Sequence, residues 1–386
     1  MKTIVFVSNF LSSHQEPFCE AMYNNENIVF YFVALAPLSD GRKAMGWSEE
    51  SAKPYEIRSY LNEEKKLRAL NLAKKCDVLM LGANNNEFFA ERMKSKQGIT
   101  FFASERIYKN GVWRAASPRG IINRWNSYYK YISRKNYLLC SSAYAASDYA
   151  ILGSYIGRSY KWGYFPPTTH YDIKKLLSEK NEAEILWAGR MLDWKHPEMI
   201  IELAKKLEKA RIEYKINVIG DGPMSETVHN MIKENHLEQK VNMLGSMNAE
   251  KVRGYMEKAS IFIATSDYHE GWGAVINESM NSGCAVVAST AMGAVPFLIK
   301  HGHNGMSYKS GDVEAFSKCV IELLKNRALR EQIAQNAYET IVSEWNAQEA
   351  AKRLIVLCEN LLEGKKGGDI FKSGVCSRAR IFKKGE

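Results

Sequence analysis

Short runs of apolar, often β-branched residues alternate along the chain with longer stretches of helical periodicity. Ten of these runs predict strands, at residues 3–8, 28–34, 77–82, 99–104, 137–142, 184–189, 214–220, 241–245, 261–266 and 285–290. Apolar runs of this length, separated by helical periods, are typical of parallel sheets that helices cover on both faces. Because the pattern occurs twice, we predict an α/β fold with two Rossmann-like domains.

A polar stretch with two prolines separates the two series of strands. Pro166 and Pro167 lie in the segment WGYFPPTTH, and the polar segment SEKNEAE follows at 178–184. A linker between these segments gives a first domain over 1–168 and a second over 180–345. Residues 346–386 are expected to form a helix that returns to the first domain, and then a basic tail that is mobile or surface-bound. Ligands of such sheets bind beyond the carboxyl ends of the strands, so we expect the site in a cleft between two facing domains.

Composition narrows the classes of protein that fit this pattern. A length of 386 residues exceeds one ordinary core, and 46% hydrophobic with 25% charged residues is typical of a globular chain. The seven cysteines are scattered and form no CxxC pair, which indicates reduced thiols in a cytoplasmic protein. The start, MKTIVFVSNF, fits a first strand better than a signal peptide, and no run approaches the ~20 apolar residues of a membrane span. The net charge of +10 predicts an anionic partner.

Cations and glycines follow the predicted strands of the second half. The candidate donor-site residues in these loops are Gly189, Arg190, Lys195, Gly220, Gly222 and Ser246. Two fixed cations at a strand–helix junction, Arg190 and Lys195, suit a diphosphate, and solvated surface charges are the alternative. The glycines of the segment VIGDGPM let backbone N–H groups approach a ligand, or they form a plain turn. Ser246 lies in the segment LGSMN, where a base could bind.

The segment SDYHEGWGAVINESMNSG contains two glutamates eight residues apart. Glu270 lies in a loop after a predicted strand, and Glu278 lies about one turn inside the next helix. Gly271 and Gly273, on either side of Trp272, allow a tight turn that directs backbone N–H groups toward an anion at the helix N-terminus. A carboxylate does not bind phosphate, so we expect both glutamates to bind hydroxyl groups of ribose and sugar rings. The alternative for Glu278 is an exposed helix residue.

Together these segments resemble the retaining glycosyltransferases of the GT-B fold, family 4, of the kind that assembles bacterial polysaccharides. The segment HEGWGAVINESM resembles the E-x7-E signature, and LWAGRMLDWKHPEMII resembles the family's strand, Gly-Arg and later Lys. VIGDGPM resembles the G-x-G-P turn, and HGHNGMSY resembles a D-G-x-N-G element. Four matches in the same order over roughly residues 184–310 are more specific than any one of them. The first half resembles the family mainly in its strand layout.

The resemblance implies an enzyme and a role for each of these residues. Arg190 and Lys195 would neutralise the donor diphosphate. Glu270 would bind hydroxyls of the donor sugar, and Glu278 would bind the ribose. The donor would be a nucleotide-diphosphate sugar, with UDP preferred to GDP, and a hexose or N-acetylhexosamine would be transferred with retention through a short-lived oxocarbenium–phosphate pair. No metal or cofactor would be required. The acceptor would be a glycan or lipid-linked glycan, and the sugar, the linkage and the oligomeric state stay open.

The chain departs from the family pattern at three places. The loop after the first strand, SNFLSSHQEPF, contains no glycine, and the segment SERIYK stands where many members have a histidine. The family's Gly-Gly-x-Pro-Glu is replaced by GAVPF at 293–297. Since His14 and Glu105 both follow predicted strands that open to the cleft, they are the candidates for an acid–base helper. A capping or loop role is the alternative for each.

Residues 106–147 contain no Asp or Glu and carry many cations and aromatic residues. The central cations of this segment are Lys109, Arg114, Arg119, Arg124, Lys130, Arg134 and Lys135. The aromatic residues interleaved with them are Trp113, Trp125, Tyr128, Tyr129 and Tyr131. This combination suits an anionic membrane interface, and also single-stranded nucleic acid. The plain alternative is that the aromatic residues are core and the cations a solvated face. We expect a cytoplasmic protein that is peripheral on the inner face of the cell membrane and that binds no nucleic acid.

Three other functions remain to be weighed against glycosyl transfer. A GT-B epimerase or phosphorylase would share the donor-site residues. A dinucleotide oxidoreductase would require G-x-G-x-x-G after the first strand, which SNFLSSHQEPF lacks. A nucleic-acid-binding protein that uses residues 106–147 would leave Glu270 and Glu278 unexplained.

Overall fold

The computed structural model describes residues 1–38, 52–82, 86–365 and 370–382. The chain forms two compact units. The first comprises Met1–Pro167 together with Ala347–Glu386, and the second comprises Thr168–Asn346. Two parts of the predicted basic tail, 366–369 and 383–386, lie outside the described residues.

The first unit is built on a seven-stranded sheet in which every pair of neighbouring strands is parallel. The strands are β1 Lys2–Ser8, β2 Ile28–Ala34, β3 Glu56–Arg58, β4 Val78–Leu81, β5 Ile99–Ser104, β6 Asn136–Cys140 and β7 Ser159–Lys161. They lie in the order β3-β2-β1-β4-β5-β6-β7. The α-helices are Glu16–Tyr23, Glu63–Lys75, Asn86–Met93, Pro118–Ser127, Ala145–Ala150 and the C-terminal Ala347–Leu362, and the 3-10 helices are Val112–Ala116 and Tyr129–Tyr131.

The C-terminal part of the chain packs against the first unit. The helix Ala347–Leu362 contacts the helix Glu16–Tyr23. Residues 370–382 were expected to be mobile or surface-bound, yet they pair with the edge strand β7. The backbone N–H of Lys161 donates to the carbonyl of Ser377 (2.8 Å), and the N–H of Cys376 donates to the carbonyl of Lys161 (2.9 Å). Cys376 is buried, so this segment covers an edge whose backbone groups would otherwise lack partners.

The second unit contains a six-stranded parallel sheet. Its strands are β8 Asn181–Ala188, β9 Lys215–Ile219, β10 Val241–Met243, β11 Ala259–Ala264, β12 Ala285–Ser289 and β13 Met306–Tyr308, in the order β10-β9-β8-β11-β12-β13. The α-helices are Ile173–Ser178, Met199–Lys209, Ser225–Glu234, Ala249–Lys258, Val275–Asn281, Val295–Leu298, Val313–Lys325 and Arg327–Ser343, with a 3-10 helix at Asp193–Lys195. Its core fills the space between sheet and helices with side chains such as Ile185, Ile216, Ile261 and Leu203.

Each sheet reverses its strand order at one point. The switch lies between β1 and β4 in the first unit and between β8 and β11 in the second. In open α/β sheets the loops at the carboxyl ends of these neighbouring strands leave a crevice in which ligands bind. The predicted α/β class with two Rossmann-like parallel sheets is confirmed, and the two switch points direct attention to the loops that follow these four strands.

Candidate functional site

The loops at the switch point of the second unit bring two predicted site residues together. Lys195 ends the 3-10 helix that follows β8, and Glu270 lies in the loop that follows β11. The Nζ atom of Lys195 donates to Oε2 of Glu270 at 2.5 Å. Both side chains are largely buried, with 14% and 15% of their surface exposed. The two charges therefore interact where water screens them less than at an open surface.

Hydrogen bonds between the two loops fix the position of Lys195. The hydroxyl of Thr265 donates to the backbone carbonyl of Lys195 (2.6 Å) and accepts from Nε1 of Trp187 (2.9 Å). The N–H of Asp267 donates to the carbonyl of Trp194 at 2.9 Å. Because these bonds run from β8 and β11 into the loops, the sheet itself positions the lysine. Thr265 was not predicted as a site residue, since nothing in the sequence links it to Lys195.

A cluster of histidines and carboxylates continues this loop. The backbone of His196 has φ of +49°, a left-handed conformation. Its Nδ1 lies 2.8 Å from Oε1 of Glu198, and its Nε2 lies 3.4 Å from Oδ2 of Asp267. The hydrogen bond to Glu198 raises the pKa of the His196 imidazole above its usual value. Asp267 also contacts Nδ1 of His269 at 2.9 Å. These contacts fix the chain on both sides of the Lys195–Glu270 pair.

Arg190 and Gly189 lie at the end of β8, on the same loop as Lys195. Arg190 is exposed. A Cβ atom added to Gly189 would lie 3.4 Å from Cδ of Lys195, so a larger residue would press on the lysine stem. The placement leaves the Arg190 guanidinium accessible to an anion, and its contact with a ligand stays a prediction.

The two glycines of VIGDGPM serve the packing of loops against each other. Gly220 and Gly222 have φ of +133° and +152°. A Cβ atom at Gly220 would lie 1.8 Å from the carbonyl oxygen of Gly189, so only glycine fits. The sequence left open whether these glycines approach a ligand or form a plain turn. The N–H of Gly220 donates to the carbonyl of Gly245 (2.9 Å), and that of Gly222 donates to Oδ1 of Asp221 (2.7 Å), so a contact of these glycines with the donor stays a prediction.

The loop that follows β11 contains three further candidates, Gly271, Trp272 and Gly273. Gly273 has φ of +91°, and an added Cβ atom would lie 2.6 Å from Cε of Met292. Trp272 was predicted among the donor-binding residues; its side chain is 1% exposed and packs in the core, where Nε1 donates to Oδ1 of Asn277 (2.9 Å). The preceding Gly271 is buried. An aromatic side chain between glycines fits a ligand or a core equally well in sequence, and here the apolar ring is in the core.

Glu278 is the fourth residue of the helix Val275–Asn281. Its side chain is partly exposed. Burial raises the pKa of the Glu278 carboxyl, and the charge of Arg253 opposes that rise. Arg253 itself donates to Oδ1 of Asn281 at 2.9 Å. Ser246, the candidate for the base, is exposed in the loop after β10.

The first unit contains a cavity of about 280 Å³ at the carboxyl ends of its strands. Its polar lining includes His14, Gln15, Glu105, Ser141 and Tyr164. The two candidates for an acid–base helper, His14 and Glu105, therefore line the same cavity. The remaining wall is apolar and includes Phe6, Phe18, Trp162 and Phe165.

Two residues that sequence reasoning missed hold Glu105 in this cavity. The hydroxyl of Tyr164 donates to Oε1 of Glu105 (2.9 Å), and Nζ of Lys109 donates to Oε2 (3.0 Å). The ring of Tyr164 also stacks on that of His14, with ring centres 6.4 Å apart. Tyr164 lies in the segment WGYFPPTTH, where the two prolines led us to predict a linker. The apolar residues between those prolines and β7 were the available sign that this stretch is packed.

The described residues contain neither a membrane-spanning helix nor a cluster of metal-binding side chains. Within residues 1–38, 52–82, 86–365 and 370–382, no helix is both long and apolar enough to cross a membrane. In the same ranges, no group of three or more His, Cys, Asp or Glu side chains is arranged to hold a metal ion.

In comparison with known proteins, the second unit is similar to a family of glycosyltransferases. The family described as Glycosyl transferases group 1 matches residues 170–340. Among curated proteins, the N-acetyl-alpha-D-glucosaminyl L-malate synthase of Bacillus anthracis is 25% identical over 159 residues, which is 41% of each chain. The lipopolysaccharide core biosynthesis glycosyltransferase LpsE of Rhizobium meliloti is 24% identical over 177 residues, 46% of this chain and 50% of that protein. The chain thus spans about half the length of the curated relatives it matches.

A solved structure extends the similarity to both units. The Anabaena protein Alr3699/HepE, solved in complex with UDP, is 15% identical and superposes with a TM-score of 0.66, covering 93% of this chain and 100% of that one. At this identity the likeness shows the fold, and it confirms the predicted fold of the GT-B type. The match to the group 1 glycosyltransferase family covers residues 170–340 alone.

Proposed function

We propose that this protein is a retaining glycosyltransferase of family 4 that moves a sugar from a nucleotide-diphosphate sugar to a glycan or lipid-linked glycan in cell-surface polysaccharide synthesis. One observation carries the proposal. In the unit that matches the glycosyltransferase family, a lysine and a glutamate meet at the switch point of the sheet, 2.5 Å apart. A cation suits a diphosphate, and a carboxylate suits sugar hydroxyls.

The donor would bind at the strand-end loops of the second unit. Lys195 and Arg190 would neutralise the diphosphate, whose negative charge grows as its bond to the anomeric carbon breaks. Glu270 would accept hydrogen bonds from the transferred sugar, and Glu278 from the ribose. Gly271 and Gly273 would bring backbone N–H groups close to the phosphate nearest the sugar. The UDP complex of the HepE protein supports a uridine donor, and the Bacillus anthracis relative supports N-acetylglucosamine as one candidate sugar.

The pairing of Lys195 with Glu270 affects how both side chains would meet the donor. Glu270 neutralises the ammonium of Lys195, so the lysine is not an isolated buried cation. When a diphosphate binds, Lys195 gains a second anionic partner and Glu270 can turn to a sugar hydroxyl. The carboxylate would therefore both orient the lysine and bind the sugar that is transferred.

The acceptor would bind in the cavity of the first unit. His14 and Glu105 face this space, and Glu105 is oriented by Tyr164 and Lys109. A carboxylate or an imidazole there is suited to accept the proton of an attacking hydroxyl. With retention at the anomeric carbon, the acceptor would attack from the face that the diphosphate leaves. The departing phosphate is then a further group that could accept this proton.

The first test is a thermal-shift series with UDP, UMP and uridine, and with GDP as the alternative base. A ligand at 100 times its dissociation constant adds about 2.7 kcal/mol of stability. We expect UDP to raise the melting temperature more than UMP, since only UDP offers the second phosphate to Arg190 and Lys195. Equal shifts for the three uridine compounds would contradict the diphosphate assignment.

The second test separates transfer from the rival activities. A UDP sugar is incubated with and without a lipid-linked or soluble glycan acceptor, and products are followed by NMR. Transfer predicts a new glycoside with the anomeric configuration of the donor. An epimerase would change the sugar without any acceptor, and a phosphorylase would require phosphate. The proposal includes peripheral attachment on the inner face of the membrane, where a lipid-linked acceptor would lie.

A further inference from the structure

One surface of the first unit exposes an unusual number of large apolar side chains. The apolar face, as we name it, consists of Val112, Trp113, Ile121, Ile122, Trp125 and Ile132. Each of these side chains is between 51% and 67% exposed. They lie on or next to the 3-10 helices Val112–Ala116 and Tyr129–Tyr131 and the helix Pro118–Ser127, which contacts both of these. Exposed apolar residues gathered on neighbouring elements mark a site of interaction.

The helix Pro118–Ser127 forms the centre of the apolar face. None of its residues is buried. Ile121 and Trp125 occur at positions i and i+4, which are neighbours on one side of a helix, and Ile122 lies at the edge of the same apolar stripe, about 100° around the helix from Ile121. The side chain of Ser117 caps the helix by accepting from the N–H of Gly120 (3.1 Å). A helix that is well capped and yet buries none of its own side chains is explained if a partner covers its apolar side.

Six of the cations of this segment fall into two groups. Arg134 donates to the carbonyl of Met93, and Lys135 donates to the carbonyls of Leu361 and Leu362. The Arg124 guanidinium lies over the ring of Tyr149, 4.4 Å from its centre. These three cations hold the segment on the unit.

The other group of cations lies beside the apolar face. Arg114, Arg119 and Lys130 are exposed, and the segment 106–147 contains no acidic residue. An exposed apolar side flanked by cations is the arrangement of helices that lie in the interface of an anionic bilayer.

We infer that the apolar face inserts into the interfacial layer of an anionic phospholipid bilayer, with Trp113, Ile122 and Trp125 among the apolar chains and Arg114, Arg119 and Lys130 at the lipid phosphates. The inference deepens the proposed function, because it rests on a lipid-linked acceptor as the reason for attachment. Nucleic acid would stack on the tryptophans but would leave the aliphatic side chains in water. A symmetric dimer through this face would bring two acid-free cationic surfaces together.

Contacts within the first unit connect the apolar face to the cavity. Arg124 stacks on Tyr149, whose hydroxyl donates to Oγ of Ser104 (3.2 Å), next to Glu105. Lys109, three residues before Val112, donates to Glu105 itself. Attachment through this face would therefore hold the cavity close to the membrane surface from which a lipid-linked acceptor extends.

The experiment is co-sedimentation of the full-length protein with vesicles of phosphatidylglycerol and phosphatidylcholine. The test variants are Ile122→Glu and Trp125→Glu, and the matched control is Leu67→Glu, an equally exposed apolar residue on the helix Glu63–Lys75. Burial of one large apolar side chain is worth about 1.5–3 kcal/mol, so each test variant should bind vesicles at least about tenfold more weakly. The control should bind like the wild type. Melting temperatures check that all three variants fold.

A second readout follows insertion directly. Brominated lipids should quench the fluorescence of wild-type protein, and Trp113→Phe combined with Trp125→Phe should remove most of that quenching. The inference is overturned if wild-type protein stays in the supernatant at low salt, or if Leu67→Glu loses as much vesicle binding as Trp125→Glu. It is also overturned if substitutions in the apolar face abolish binding of single-stranded RNA or self-association but leave vesicle binding unchanged. Stabilisation by UDP without lipid reports the donor site separately, so either proposal can fail alone.

Discussion

The two units arrange their parallel strands in the same order around the switch point and place different chemistry there. In the second unit, the loops after β8 and β11 carry Lys195 and Glu270 in an ion pair. In the first unit, the carboxyl ends of the strands surround a cavity lined by His14, Glu105 and Tyr164. A fixed cation suits a charged diphosphate, whereas an imidazole, a carboxylate and a phenol suit an uncharged hydroxyl group. Under the proposed function, the same strand order would thus support two kinds of ligand, and the loops would decide which.

At the opposite ends of their strands the two units resemble each other closely. Arg92 of the first unit donates to the carbonyls of Cys76 and Ile99, next to the starts of β4 and β5. Lys180 of the second unit donates to carbonyls next to the starts of β11 and β12, those of Ala259 and Ser282 among them. Each cation also satisfies carbonyls at a helix end, those of Lys74 and Cys76 for Arg92 and those of Met256 and Glu257 for Lys180. Arg92 and Lys180, next to strand starts, thus have a structural role in both units. The difference between the units lies in the loops at the carboxyl ends of the strands.

The largest effect is expected from the substitution of Lys195 by alanine. If the two units differ as argued above, the charge of the donor diphosphate is neutralised in the second unit. Loss of the fixed cation beside the developing phosphate charge should then lower turnover by about 10²–10³-fold. Lys109→Ala in the first unit should lower turnover by less than about tenfold, because Lys109 only orients Glu105. The measurement is initial transfer rate at saturating donor.

A surface lysine provides the control for this result. Lys205 lies on the helix Met199–Lys209 and pairs with Glu202 at 2.9 Å, with both side chains about 40% exposed. Lys205→Ala should leave turnover within about twofold of wild type, as expected for an exposed ion pair. A loss in Lys195→Ala no larger than that in Lys205→Ala would break the assignment of the diphosphate to this loop.

Removal of the structural cations should affect stability and leave the donor site intact. Lys180→Met leaves four carbonyls, those of Met256, Glu257, Ala259 and Ser282, without the ammonium donor. We expect the free energy of unfolding to fall by about 3 kcal/mol, with the dissociation constant of UDP changed less than about threefold. Urea unfolding and calorimetric titration measure the two quantities.

Arg92→Met tests the same idea in the first unit. Arg92 is 2% exposed and donates to the carbonyls of Cys76 and Ile99 at 2.7 and 3.1 Å. A similar loss of about 3 kcal/mol is expected, again with unchanged UDP affinity. If either variant abolished UDP binding while the protein stayed folded, cations at the strand starts would not be purely structural, and the comparison would fail at this end.

The two glutamates should separate binding from turnover. Glu270→Gln removes the anionic partner of Lys195, so the affinity for bare UDP should be kept or increase, while turnover falls by about tenfold for the lost contact to the transferred sugar. Glu278→Gln should weaken UDP binding by about tenfold, because the ribose is present in every nucleotide. Titration of UDP into both variants measures this. Equal losses of UDP affinity would contradict the two assignments.

Much of the fold could be predicted because its strands are buried on both faces. All ten predicted strands are present, and the three that were missed, β3, β7 and β13, are three-residue strands at sheet edges. Such strands contain too few apolar residues to stand out from loops. The pairing of 370–382 with β7 was also missed, since the segment IFKSGVCSRARIF contains no continuous apolar run that would indicate a strand.

The sequence allowed individual residues of the candidate site to be predicted, but not the contacts between them. Lys195 and Glu270 were each proposed from their place after a strand, yet their ion pair depends on the order of β8 and β11 in the sheet. Gly220 was predicted either to approach a ligand or to form a plain turn, and the structure uses its conformation to let the loop approach Gly189. Tyr164 was hidden by neighbouring prolines that indicate a linker. Contacts between distant segments leave no local pattern in the sequence.

The smallest expected effect concerns the histidine beside Lys195. His196 faces Glu198 and Asp267, and Glu198 raises the pKa of its imidazole. A raised pKa in the folded state means that protonated His196 stabilises the protein below about pH 6.5, and that this contribution is lost as pH rises through the raised value. The contribution should stay below about 1 kcal/mol, because one third of the side chain is exposed and solvent screens the pairs.

The variant His196→Asn tests this contribution without disturbing the backbone. Asparagine tolerates the left-handed conformation at φ of +49°, so the loop should keep its path. Urea unfolding from pH 6 to 9 should show that the wild-type stability declines more steeply than that of the variant above about pH 6.5. His229→Asn, at an exposed position of the helix Ser225–Glu234, is the control and should keep the wild-type slope. Parallel slopes for wild type and His196→Asn would show that the charged cluster beside Lys195 does not stabilise this loop, and the loops of the second unit would then be fixed by backbone and hydroxyl bonds alone.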